Sequence, residues 1–224
     1  MKTSHILFLT TMSLFLAFTL GINWILKSDF EKLDKTDPYV GFSSHPLKPF
    51  KYVKLHGTGF ALTEVRTDRA PELKMIIEPK YLDWKVSNDT LTIFYKADWK
   101  RNNMTIGADY EARPSIYVFT PELAGITSDQ IRTRVMRAKT PHLDIHQKGD
   151  GMLIIQSEIP EIKADIKNNG YLRFHAFNNP LNADITVADS SSFQSDKDIF
   201  KHFNASIDSM AHLNVPGSVI KKLK

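Results

Sequence analysis

The chain has 224 residues, and its 29 basic and 25 acidic side chains leave a formal charge of only +4. That balance, with no recognisable nucleic-acid module, sets nucleic acid aside as a partner. Cysteine is absent, which excludes a disulfide framework, thiolate zinc sites, cysteine nucleophiles and a lipoprotein anchor. The length allows one good-sized domain plus an appendage.

The appendage comes first. After a short polar start containing Lys2, Ile6 to Leu26 runs without a charge, long enough to cross a bilayer core of ~30 Å as a helix. Trp24 stands near the outer end, where an indole suits the interface. Residues 1–26 therefore read as a signal anchor or a signal peptide. The candidate cleavage sites, Ala17-Phe-Thr19 and Thr19-Leu-Gly21, are poor copies of the small-residue pattern, which favours the uncleaved anchor. Lysines lie on both sides, Lys2 before and Lys27, Lys32 and Lys35 after. Counted strictly, they do not place the large domain outside. An amino-terminal apolar segment nonetheless acts as an export signal, and the domain is expected outside the cytoplasm. Residues 27–49, polar and mixed in charge with Pro38, Pro46 and Pro49, read as a tether.

From Phe50 onward the pattern is β. Tyr52 to Leu55 alternates, His56 to Gly59 turns, and Phe60 to Val65 continues. Thr67 to Pro71 breaks the pattern before strands at Leu73 to Ile77 and Leu82 to Val86. Ser87-Asn88-Asp89 makes a hairpin turn into Leu91 to Tyr95. Lys96 to Pro114 is polar and reads as a long loop, followed by a strand at Ser115 to Thr120. Leu123 to Val135 forms an irregular first rung.

Pro141 to Val215 then repeats itself about every twenty residues. Aligned on one isoleucine, the units are HLDIH (His142 to His146), KADIK (Lys163 to Lys167), NADIT (Asn182 to Thr186) and NASID (Asn204 to Asp208). Each alternates apolar and polar residues and passes through a polar corner; a second apolar pair follows in two units, Leu153 with Ile155 and Leu172 with Phe174, and is weaker in the other two, Phe193 and then Leu213 with Val215. Strand, corner, strand at a fixed period predicts a solenoid. The fold class is all-β: a right-handed parallel β-solenoid, β-helix-like, over residues 50–224, preceded by one hydrophobic helix.

The opening FKYVKLHGTGFALTEVRT, the pair KVSNDTLTIFYK, the strand YVFTPELAGI and the later repeats together resemble the auto-transporter adhesin head GIN domains, which are common in exported proteins of Bacteroidota-type bacteria. The corners depart from that family's Ser-Gly-rich form, reading Gln147-Lys-Gly-Asp, Lys167-Asn-Asn-Gly and Ala188-Asp-Ser-Ser. The resemblance implies a β-solenoid in the cell envelope and does not imply an enzyme.

On this alignment Ile145, Ile166, Ile185 and Ile207 form an inward ladder. Leu143, Ala164, Ala183 and Ala205 stand beside it, with Ile162, Leu181 and Phe203 beyond. Outside, Asp144, Asp165 and Asp184 are expected to stack, compensated by Lys163, Lys167 and His146 or by a bound cation. His142, Asp144 and His146 share one strand face; alternate positions lie ~6.5 to 7 Å apart, wide for one ion, so a surface histidine pair is the preferred reading. Arg132 and Arg134, with Arg137 and Lys139, make a basic strip that is either a solvated face or a dock for an anionic glycan, a lipid headgroup or an acidic protein. Lys221, Lys222 and Lys224 read as a tail protecting the last rung.

No catalytic, cofactor-binding or metal-ligating residue is assigned, and no cofactor is expected. The sequence reads as a non-enzymatic, exported or membrane-tethered envelope module, with the membrane as a partner through its amino-terminal helix. The alternatives are a polysaccharide-cleaving enzyme on a β-helix face and a self-assembling scaffold.

Overall fold

The computed structural model describes residues 2–32, 34, 36–59, 61–96, 110, 112–175, 177 and 180–223. They divide into two units, Met1–Gly41 and Phe42–Lys224.

The first unit is dominated by α1 (Lys2–Lys32), which is long and apolar enough to cross a membrane. Its apolar side chains from Ile6 to Phe30 are exposed. Thr10, Thr11 and Thr19 donate their hydroxyls to the carbonyls of Ile6, Leu7 and Phe15 at 2.8, 2.9 and 2.7 Å, so these polar groups need no outside partner. The helix runs past Leu26 into the stretch expected to be a tether. Lys27–Glu31 at 3.8 Å and Asp29–Lys32 at 3.0 Å support that last turn, as charge pairs at this spacing do.

Among its described residues the second unit is all-β apart from one turn of 3-10 helix and one short α-helix. Its first half holds β1 (Ser43–Pro46), β2 (Tyr52–Gly57), β3 (Thr63–Arg66), β4 (Glu72–Met75), β5 (Leu82–Ser87), β6 (Thr90–Tyr95), β7 (Ile116–Phe119), β8 (Gly125–Asp129) and β9 (Thr133–Met136). The repeats supply β10 (His142–Lys148), β11 (Gly151–Ile155), β12 (Glu161–Lys167), β13 (Tyr171–His175), β14 (Leu181–Val187), β15 (Ser192–Ser195), β16 (Phe200–Ile207) and β17 (His212–Asn214), and α2 (Gly217–Ile220) follows. Of the long loop expected over Lys96 to Pro114, residues 97–109 and 111 lie outside the described residues, as does Phe60.

The strands form a nine-stranded sheet, β1-β4-β7-β3-β9-β11-β13-β15-β17, and an eight-stranded sheet, β16-β14-β12-β10-β8-β2-β6-β5. Successive strand pairs, β8/β9 through β16/β17, send one strand to each sheet and stack in parallel. This is the parallel β-solenoid. Its beginning departs from chain order, because β6/β7 stacks on the outer side of β2/β3 while β8/β9 stacks on the other. Beyond β6/β7 the strands β1, β4 and β5 pair antiparallel and finish that end. β1 lies inside the expected tether. Its sequence Ser-Ser-His-Pro carries no apolar alternation, and pairing with β4 makes it a strand.

One core cluster fills the space between the sheets, drawing Ile145, Ile162 and Ile185 from one and Met152, Ile154 and Leu172 from the other. Each fully buried aliphatic side chain contributes ~1.5–3 kcal/mol. Toward the carboxyl end the filling is aromatic: Phe174–Phe193 and Phe200–Phe203 rings lie 5.0 and 4.6 Å apart. Val219 of α2 is buried. Lys222 donates to Asp198 and to the Phe200 carbonyl at 2.7 Å each, a covering of the last rung by one residue of the expected lysine tail. Lys224 lies outside the described residues.

The register corrects the isoleucine alignment. Ile126, Ile145, Ala164, Ile185 and Ala205 share one column, and Ser128, Gln147, Ile166, Val187 and Ile207 share the next. Leu143, Ile162, Ala183 and Phe203 make a third. KADIK and NASID are therefore displaced by two positions. A shift of two leaves the same residues facing inward, so Ile145, Ile166 and Ile185 are all fully buried. Ile207 is 40 % exposed because β16 is the edge strand of its sheet. Corner length sets the offset. The corners place Gly149-Asp150, Asn168-Asn169 and Asp189-Ser190 in the left-handed region, a conformation that Asn and Asp tolerate better than most residues, so they turn without the Ser-Gly pattern.

Candidate functional site

The outward face of the nine-stranded sheet carries the densest chemistry. Alternation along β3 sends Thr63 and Val65 inward, so Glu64 points out; β9 does the same with Arg134. Glu64 lies directly across from Arg134 and is nevertheless fully buried. Both Arg66 and Arg134 pair with its carboxylate. Arg134 also donates to the carbonyls of Tyr110 and Ala112, and Arg66 reaches the Met136 sulfur at 3.6 Å. A buried carboxylate demands such partners, since an unpaired charge in the interior is costly.

Two rungs away, Arg173 donates to both oxygens of Asp196, with Nη2–Oδ2 at 2.7 Å and Nε–Oδ1 at 3.1 Å. His175 pairs with the same carboxylate, and Gln194 donates to it at 2.9 Å. Arg173, with further help from His175 and Gln194, holds the Asp196 carboxyl at about 2, well below its usual 3.8. Between the clusters lies a cavity of about 390 Å³, lined by Arg66, Tyr110, Arg134, Met136, Leu153, Ile155, Arg173 and His175. Burial raises the Tyr110 hydroxyl pKa well above the ordinary phenol value, and the Asp150 charge adds to the effect, so it stays a neutral donor.

The basic strip is thus divided. Arg132 and Arg134 point outward as expected, but each has a carboxylate: Arg132 takes Asp150 at 3.1 Å and Arg134 takes Glu64. Lys139 pairs with Glu158 at 3.4 Å, and Arg137 is exposed at a left-handed corner. Only Arg134 of the four lines the cavity. Sequence reasoning missed Glu64, Arg66, Arg173, His175 and Asp196. The signal was available in part, because TEVR and YLRFH each place a charged residue between two inward residues.

The other outward face carries a cavity of about 610 Å³ beside His142, Glu161, Asn182 and His202, which share one column. The expected aspartate row does not form. Asp144, Lys163, Asp184 and Asn204 share a column, and Asp165 stands beside His146 and Thr186. In the Asp144 column opposite charges alternate, so its aspartates never meet as direct neighbours. His142 turns to Asp144 at 2.9 Å while His146 turns to Asp165 at 3.9 Å. Among the described residues no group of three or more His, Asp or Glu side chains is placed to hold a metal ion.

No family model matches the sequence, and no curated protein matches it. Among solved structures the chain is similar to a "putative adhesin" from Parabacteroides distasonis ATCC 8503, at 16 % identity over 78 % of this chain and 74 % of that one, with a TM-score of 0.50. It is also similar to a "putative adhesin" from Bacteroides fragilis NCTC 9343, at 15 % identity over 78 % and 93 % and a TM-score of 0.39. A "putative cell adhesion protein" from Clostridium sporogenes ATCC 15579 matches at 10 % identity over 78 % and 97 %, with a TM-score of 0.32. The first of these likenesses is one of fold.

Proposed function

We propose that the protein is a non-enzymatic β-solenoid module of the bacterial cell envelope, exported or held at the membrane through α1, with a binding or adhesion role. Its kinship on this reading is with the auto-transporter adhesin head GIN domains. The observation that carries the proposal is α1, an exposed apolar helix whose threonine hydroxyls are satisfied within it. At ~1.5 Å per residue its 31 residues exceed a bilayer core of ~30 Å. The repeats and the fold shared with the Parabacteroides protein support the kinship. A binding role rather than catalysis accords with the carboxylates that grip the arginines of the cavity. Glu64 is held by two guanidiniums, and Asp196 stays ionised far below neutral pH, so Asp196 is not a proton donor at physiological pH.

Protease treatment of intact spheroplasts tests the placement. The Phe42–Lys224 body is expected to be digested before lysis, and survival until lysis overturns the proposal. Amino-terminal sequencing then separates anchor from signal peptide, an intact start marking the anchor.

A further inference from the structure

The cavity beside β11 combines cations with an apolar floor, and we propose that it binds an organic anion, a carboxylate joined to a compact aryl or short alkyl body. Arg134, Leu153 and Arg173 are neighbours across β9, β11 and β13, and Met136, Ile155 and His175 are neighbours in the next column. The middle rung therefore offers only apolar surface, while the rungs ~4.8 Å to either side carry the guanidiniums. Leu153 is 6 % exposed although it points away from the core between the sheets.

Among the described residues the lining contains no carboxylate. Glu64 and Asp196 grip Arg66, Arg134 and Arg173 without lining the cavity. Guanidiniums held in this way lose little freedom when a ligand arrives, and their planar forks match a carboxylate in two-point contact. The body of the ligand follows from what the lining lacks. Sugar hydroxyls need acceptors as well as donors, and among the described lining side chains the three guanidiniums only donate, leaving Tyr110 and His175 as the main acceptors. Arginine and tyrosine donors over Leu153, Ile155 and Met136 suit an apolar body instead.

The inference rests on the binding role proposed above but not on export. Full-length protein in lipid nanodiscs, with empty nanodiscs as the blank, is titrated calorimetrically with 3-phenylpropionate. The comparators are 3-phenylpropionamide, which lacks the charge, and D-glucuronate, which carries the charge on a hydroxylated ring. The acid is expected to bind at least tenfold tighter than either comparator. Arg173→Gln, at a side chain 37 % exposed, is expected to weaken it at least tenfold, with Tm lowered only by the loss of the Asp196 pair and the protein folded at the titration temperature. Arg134→Gln strips the fully buried Glu64 of a partner, whereas Asp196 keeps His175 and Gln194 when Arg173 is replaced, so Arg173→Gln carries the test. Equal affinity for the amide, tighter binding of glucuronate, or indifference to Arg173→Gln overturns the assignment. A body digested in spheroplasts that binds none of the three leaves the envelope reading standing and removes this one. A bound acid with a protected body does the reverse.

Discussion

Arg134 and Glu64 face each other across adjacent parallel strands, and the carboxylate that Arg134 shares with Arg66 is fully buried on the outward side of the sheet. A charge in that position costs several kcal/mol to desolvate, and its partners return roughly that amount. The cluster fixes where the Arg134 side chain stands more than it adds net stability.

Removing one partner is therefore costly. Arg134→Ala is expected to destabilise the body by about 3 kcal/mol, read as a lower midpoint in urea unfolding with an unchanged slope. Replacing Glu64, Arg66 and Arg134 together by apolar residues of similar volume is expected to recover most of that loss. A single variant within about 0.5 kcal/mol of the parent contradicts the buried pairing.

Asp196 gives the fold a pH dependence. Arg173 lowers its folded-state value from 3.8 to about 2, so the stabilisation is complete above the unfolded value and is lost as pH falls toward 2. Urea midpoints across that window are expected to drop in the parent and to drop less in Asp196→Asn. Parallel profiles contradict the assignment.

The inward columns end at the last rung. Ile185→Ala, at a fully buried side chain, is expected to cost about 2–5 kcal/mol. Ile207→Ala, at one 40 % exposed, is expected to cost well under half as much. Equal losses in thermal or urea unfolding mean that another element covers the final rung.

Which side chains face inward was legible in the sequence, because alternation with period two survives any even shift. Ile145, Ile166 and Ile185 are buried on either alignment. Their partners were not legible, because a two-residue slide preserves burial and only the corners choose between registers. The aspartate row was a product of the wrong choice. Glu64 reads locally as a solvated charge between Thr63 and Val65; its burial follows from contacts with Arg66 and Arg134, the latter 70 residues distant in the chain. β1 was hidden for a related reason, since its strand character comes from β4.

The register decides which outward residues meet, and the absence of cysteine makes it directly measurable. In Asp144→Cys/Lys163→Cys the two residues are register partners. Neighbouring parallel strands lie ~4.8 Å apart, within disulfide reach. In Asp144→Cys/Asp165→Cys the second residue lies two positions further along, roughly 8 Å away, beyond that reach. Mild oxidation of the folded protein is expected to close the first pair nearly completely and the second hardly at all. Preferential closure of the second pair restores the aspartate row and contradicts the stacking on which the arrangement of both outward faces rests.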